Sequence, residues 1–261
     1  MLFTIPRSPR WLVKKGRIAE ARTVLQLTGD ENFENDLQDI VESIQVERSL
    51  AAEKLFSRRY LFPIFLAVSI GMFNQLSGIN AILYYLNDIF GHAGFSKVSG
   101  NLQAVAIGAT NLIFTMIAMS VIDKIGRKTL LLVGSVGTAF CLAGVSIIFF
   151  TGRHENLLVW LLVGYIAFLA FSQGAVIWVY LSEVFPNTVR AKGQSLGSFS
   201  HWFMNALISG IFPLMAASSG AYPFVFFAVM MVVQFFVVLL VYPETKGFTL
   251  EEMQKKMVTT G

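Results

Sequence analysis

The run YLFPIFLAVSIGMFNQLSGINAILYYLN, residues 60–87, contains no Asp, Glu, Lys or Arg. About 20 apolar residues are enough for a helix to cross the hydrocarbon core, so this run reads as a membrane span. Its second half nevertheless holds Asn74, Gln75, Ser77, Asn80, Tyr84 and Tyr85. Polar groups at membrane depth are costly and face the bundle interior, a cavity or each other. At about 100° per residue, Asn74 and Asn80 do not share a face of one straight helix. Ser77-Gly78 between them is the expected break, and a discontinuous helix frees backbone groups to line a ligand cavity. The alternative is a set of interhelical hydrogen bonds that only hold the bundle together. Four polar residues around a break exceed what such bonding usually takes, which favours the cavity.

Working outward, uncharged windows recur at 98–122, 129–152, 156–182 and 193–243. The last is about twice the length of the others and should hold two helices. Ala217-Ser218-Ser219-Gly220, followed by Pro223, is the natural turn between them. The expectation is six spans. Of the 20 Lys and Arg residues, all but Lys97 and Arg153 then fall on one side of the membrane. Basic residues collect in cytoplasmic loops, so both termini are expected to be cytoplasmic.

Composition agrees with this reading. Hydrophobic residues are 55% of the 261 and charged residues 14%, well below the roughly 25% charged of a soluble domain. The net charge of +4 sits at span borders, where lipid headgroups and topology account for it better than nucleic acid does. Cys141 is the single cysteine, so there is no disulfide framework. Met1–Ile5 is too short for a signal-peptide core before Pro6 and Arg7. Most charges lie in the first sixty residues, a hydrophilic leader with both signs. There Leu37, Ile40, Val41 and Ile44 form one helical stripe. Short amphipathic helices resting on something cytoplasmic fit that stripe; a solvated linker is the alternative.

Other polar residues inside the spans are candidate ligands. Ser198, His201, Trp202 and Asn205 follow i, i+3, i+4, i+7 spacing and fall on one helix face. A polar face carrying a Trp suits a sugar ring, with its polar edges and its C–H face that stacks on indole. His201 alone would read as a hydrogen-bonded core histidine. Gln173 and Trp178 flank Gly174, which permits close approach of a ligand or a helix. For Asn111, packing and binding explain a lone amide equally well. No carboxylate sits mid-span: Asp88, Asp123, Glu155, Glu183 and Glu244 all lie at span ends or in loops. A proton-coupled carrier usually needs a buried carboxylate, which would then lie outside this chain. No group for a cofactor or a metal is implied.

Taken in order, several segments resemble the sugar porter family of the major facilitator superfamily. Pro6-Arg7-Ser8-Pro9-Arg10-Trp11-Leu12 is similar to the family's Pro-Glu-Ser-Pro-Arg-Trp-Leu, with Arg7 in place of Glu. Asn74-Gln75-Leu76-Ser77-Gly78-Ile79-Asn80 resembles its seventh-helix motif, with Asn74 in place of Gln. Asp123–Lys128, Glu183–Pro186 with Val189–Gly193, and Pro243–Gly247 are similar to its loop motifs after helices eight, ten and twelve. The resemblance implies an all-α membrane protein: six transmembrane helices forming the carboxy-terminal bundle of a major facilitator fold, preceded by short amphipathic cytoplasmic helices. The implied divisions are 1–59, 60–243 and 244–261. It also implies monosaccharide contacts from Gln75, Asn80, Asn111, Trp178, Trp202 and Asn74, with Tyr84 and Tyr85 at the extracellular gate. Gln173 stands where bacterial members often place a Trp, and His201 where many have an amide. Asp123, Arg127, Glu183 and Arg190 are implied as ion-pairing charges of the cytoplasmic gate.

The family has twelve spans, and Leu2–Ile5 looks like the tail of a sixth that is otherwise absent. Alternating access needs two bundles rocking about a shared site. The expected partners are therefore a monosaccharide, the lipid bilayer, and a missing amino-terminal half or a second copy, with a bacterial inner membrane as the expected location. A non-transporting sugar sensor or an inactive remnant is the alternative from another class. A membrane enzyme is disfavoured, because His201 has no acidic partner in the spans.

Overall fold

Charge-free windows of this length become helices because a helix satisfies its backbone groups within its own segment, as lipid requires. The computed structural model describes residues 7–27, 33–51, 53–92 and 97–247, and among them the elements are helices with no strand. The expectation for residues 1–6, and most of the tail expected at 244–261, lie outside these residues. The chain divides into two compact units, one built on the first 55 residues with 187–189, the other on the remainder.

The first unit contains α1 (Pro9–Lys14), α2 (Ile18–Leu27) and α3 (Phe33–Ala51). Leu37 and Ile44 on α3 join Leu12, Val13, Ala21 and Leu25 in a small core, with Ile40 and Val41 packed against it. The apolar stripe is thus buried against α1 and α2. It is not a solvated linker.

The second unit holds the spans. α4 (Leu61–Leu76) and α5 (Ile79–Tyr84) come from the first window, and α6 (Leu86–His92) starts at its end and runs past Asp88. α7 (Lys97–Ile125) and α8 (Arg127–Thr151) follow, then α9 (Leu158–Leu169), a π-helical turn (Ala170–Gly174) and α10 (Ala175–Glu183). α11 (Arg190–Ser218) and α12 (Tyr222–Val241) fill the long last window. The turn between them is shorter than the sequence suggested, because Ala217 and Ser218 remain helical.

Among the described residues, five helical stretches are long and apolar enough to cross a membrane: Arg58–Tyr84, Val105–Ile125, Arg127–Thr151, Glu155–Glu183 and Tyr222–Val241. α11 has 29 residues, which at 1.5 Å per residue spans roughly 43 Å. Polar residues such as His201 and Asn205 make it less apolar than its neighbours. It crosses α4 closely: a Cβ at Gly71 would sit 2.8 Å from the Gly197 carbonyl oxygen. Beside that crossing the Ser200 hydroxyl donates to the Val68 carbonyl at 3.0 Å.

Candidate functional site

The first span breaks at Ser77-Gly78, as its sequence suggests. Gly78 adopts φ +83°, a left-handed conformation that costs other residues about 1–2 kcal/mol. A Cβ there would also lie 2.4 Å from the Phe227 ring. The break disturbs the helical ladder, and nearby groups repair it. Gly78 N–H donates to Gln75 O at 2.9 Å, and the Ser77 hydroxyl donates to Asn74 O at 2.5 Å. The Tyr165 hydroxyl, from α9, donates to Ser77 O at 3.1 Å. A bend at membrane depth is stable only with such substitutes.

The repaired break collects the predicted amides. Gln75 Nε2 donates to Asn74 Oδ1 at 3.2 Å and lies 3.2 Å from His201 Nε2 and 3.3 Å from its Nδ1. Asn80 Nδ2 donates to Gln75 Oε1 at 3.3 Å. Asn74, Gln75, His201 and Asn205 are buried, whereas Trp178 and Trp202 are 46% and 57% exposed. The two indoles flank the imidazole, with centroids 5.3 and 5.1 Å from it. The result is an amide floor beside two open aromatic walls, able to exchange hydrogen bonds with hydroxyls and to stack on a C–H face.

Other expected residues are placed differently. Tyr84 and Tyr85 part company. Tyr84 is exposed, and its hydroxyl accepts from Asn205 Nδ2 at 3.4 Å. Tyr85 stacks on Phe212 at 5.1 Å. It lines a separate cavity of about 550 Å³ with Asp88, Phe149, Phe212 and Phe224. Gln173 is buried and donates to Gln234 Oε1 of α12 at 2.9 Å, not to the amide cluster. The π turn holding Gln173 lets it face α12 while Trp178, five residues on, faces the open side. Asn111 on α7 is half-buried and makes no side-chain hydrogen bond among the described residues.

At the basic end of the bundle, Arg127 pairs with Glu183 at 2.6 Å and with Asp123 at 2.8 Å. Glu183 also accepts from the Thr245 hydroxyl at 2.7 Å. Arg190 is not part of this network: its Nε donates to Phe185 O at 3.3 Å, and its Nη2 is buried without a hydrogen-bond partner. The sequence reading did not single out Glu244 as a cap. Its carboxylate accepts from the backbone N–H groups of Arg127 (2.9 Å), Lys128 (3.1 Å), Thr245 (3.0 Å) and Lys246 (3.0 Å). Glu244 therefore caps α8, where an anion is stabilised by free N–H groups and the helix dipole. The Lys246 ammonium donates to Lys124 O. Just beyond α12, burial pushes the Tyr242 phenol above its usual pKa range, and its hydroxyl lies 2.7 Å from Ser69 Oγ.

Comparison with known proteins identifies the family and the fold. The chain matches the family described as sugar (and other) transporter over residues 1–257. It is 34% identical over 259 residues to the arabinose-proton symporter of Bacillus subtilis (strain 168), covering 98% of this chain and 56% of that protein. It is 32% identical over 262 residues to the D-xylose-proton symporter of Escherichia coli (strain K12), covering 97% and 53%. A solved structure of the proton:xylose symporter XylE bound to 6-bromo-6-deoxy-D-glucose superposes with a TM-score of 0.71 at 31% identity, covering 98% of this chain and 55% of the other. The chain thus spans about half the length of the relatives it matches, and these relatives are transporters, not enzymes. It is a multi-pass, all-α membrane protein of the major facilitator fold, and it belongs to the sugar porter family.

Proposed function

We propose that this chain carries the carboxy-terminal half of a monosaccharide-binding site and transports a monosaccharide by alternating access together with a second six-helix half. The observation that carries this is the amide cluster of Asn74, Gln75, Asn80 and His201 gathered at a broken span beside the open indoles of Trp178 and Trp202. Neutral amides plus aromatic faces suit an uncharged polyhydroxylated ring. Ions would call for charged or carbonyl ligands. The names of the related arabinose, xylose and glucose carriers favour the same substrate class. Asn205 and Tyr84 extend the site, and Tyr84 with Tyr85 serves the extracellular gate. Asn111 completes the site from α7. Gln173, bonded to Gln234, acts at one remove by fixing the turn before Trp178.

The second half covers the bare faces of α7 and α11. Only 17% of the most apolar window of α7 is buried, and Leu112, Met116, Phe203 and Leu214 are exposed. Asp123, Arg127 and Glu183 form the cytoplasmic gate, with both termini on that side of a bacterial inner membrane. Arg190 takes its acceptor from the other half. The divisions at 59/60 and 243/244 separate a cytoplasmic helical linker, the six-helix bundle and a cytoplasmic tail.

The test is uptake of radiolabelled hexoses and pentoses into transport-deficient cells. These express the chain alone or with a six-helix amino-terminal half of the same family. Uptake that needs the second half and is lost in Gln75→Ala supports the proposal. Uptake by the chain alone replaces the second half with a second copy. No uptake in either case, with the protein confirmed in the membrane, contradicts it.

A further inference from the structure

The hydrogen bonds of Gln75 have a direction. Its amide nitrogen carries two hydrogens, and two acceptors stand before it: Asn74 Oδ1 at 3.2 Å and a ring nitrogen of His201 at 3.2–3.3 Å. Its oxygen receives Asn80 Nδ2 at 3.3 Å. The order of donors therefore runs from Asn80 through Gln75 to Asn74 and His201. A neutral imidazole keeps one nitrogen free to accept, whereas the protonated ring has two donors and no acceptor.

We propose that neutral His201 is the positioning residue that holds the Gln75 amide in its sugar-binding orientation, and that protonating His201 releases it, so sugar binding weakens as pH falls. This rests on the reading of the cluster as a monosaccharide site. With the ring charged, both ring nitrogens near Gln75 Nε2 are donors and neither can accept. Turning the amide over relieves that clash but sets Gln75 Oε1 against Asn74 Oδ1 and Nε2 against Asn80 Nδ2. Either the relay breaks or all three amides reverse. Both outcomes change which atoms donate to a sugar hydroxyl and which accept from it.

The surroundings leave the imidazole as the titrating member. α4 and α5 carry no Asp, Glu, Lys or Arg. α10 brings Glu183, held by Arg127 at the far end of that helix, and the phenol of Tyr180. α11 brings Arg190 and Lys192 near its start; Lys192 lies nine residues, roughly 13 Å, from His201. α12 contributes no charged side chain, only Tyr222 at its start. The phenol of Tyr84 accepts from Asn205, four residues along α11 from His201. None of these can replace an acceptor on the ring, and phenols do not titrate where imidazole does.

The sign follows from which form binds. If sugar prefers the neutral ring, affinity is full above the imidazole's titration range and falls as pH drops through it. The experiment is equilibrium binding of D-xylose from pH 5 to pH 8. The full chain is held in lipid nanodiscs together with a six-helix amino-terminal half. The expected result is a dissociation constant severalfold larger at pH 5 than at pH 8, with about tenfold, the worth of roughly one lost hydrogen bond, as the limit for a fully protonated ring. His201→Gln keeps an acceptor but cannot titrate, so it should lose this fall whatever its affinity at pH 8. A flat wild-type profile, or a fall that persists in His201→Gln, overturns the proposal while leaving the site itself standing. No binding of D-xylose or of the other sugars tested, at any pH, removes the sugar-site reading and this proposal with it.

Discussion

At mid-span, Asn74, Gln75, Asn80 and His201 meet through neutral hydrogen bonds of 3.2–3.3 Å, and Asn205 meets Tyr84 at 3.4 Å. At the basic end, Arg127 meets Glu183 at 2.6 Å, and Glu244 gathers four backbone N–H groups at 2.9–3.1 Å. The difference follows from dielectric and access to water. A charge at the bilayer centre costs several kcal/mol, so the polar groups there are amides and hydroxyls that stay neutral. His201 is the one member that can take up a proton as pH falls. Neutral bonds are individually weak in net terms and easily exchanged for those of a ligand. Near the membrane border charges are affordable, and their short bonds to helix ends fix loops in place. The lesson is a division of labour: adaptable polarity in the middle, fixed polarity at the end.

That division is breakable by substitution. Arg127→Met should do the most damage, because it leaves Glu183 partly buried without its ion partner. A loss of about 3 kcal/mol in unfolding free energy is expected, measured by denaturation in detergent; a change below about 0.5 kcal/mol would mean the knot holds nothing. Gly78→Ala should cost about 2 kcal/mol, combining left-handed strain with the contact to Phe227. Pairing it with Phe227→Ala separates strain from clash: if the double variant is no better off than the sum of the two single changes, the clash is not part of the cost. Tyr242→Phe should cost about 1 kcal/mol, the hydroxyl bond to Ser69. Trp202→Ala should leave stability within about 0.5 kcal/mol, since the ring is more than half exposed. It should nonetheless weaken sugar binding more than tenfold. A Trp202 variant that unfolds the protein would move this ring from the site to the core.

Much of the fold was legible because charges mark the edges of lipid. The windows between them became α4 to α12, and Ser77-Gly78 was readable as a break because Asn74 and Asn80 could not share a face otherwise. The stripe Leu37, Ile40, Val41 and Ile44 gave away a buried helix face, though not that α1 and α2 cover it. Residues whose roles depend on distant partners were harder to read. Gln173 could be identified as interior, but its bond to Gln234, 61 residues away, leaves no trace in local spacing. Nor does periodicity signal the π turn at Ala170–Gly174. Glu244 looked like part of a tail motif, and only the folded chain brings it to the N-terminus of α8. Arg190 shares a loop with Glu183, yet backbone geometry directs it to Phe185 O. α11 is the instructive case, because the same polar residues that suggested a site also make it the least lipid-like of the long helices in the bundle.

The most direct test of the central claim compares sugar binding with global stability in two variants, Gln75→Ala and Arg127→Met. Binding of a monosaccharide panel is followed by the emission of Trp178 and Trp202, with the amino-terminal half present and the temperature held below unfolding. The expected result is saturable quenching in the wild type, its loss in Gln75→Ala with the fold intact, and its retention in Arg127→Met despite lower stability. Unchanged binding in Gln75→Ala would contradict the account and place the site elsewhere in the carrier.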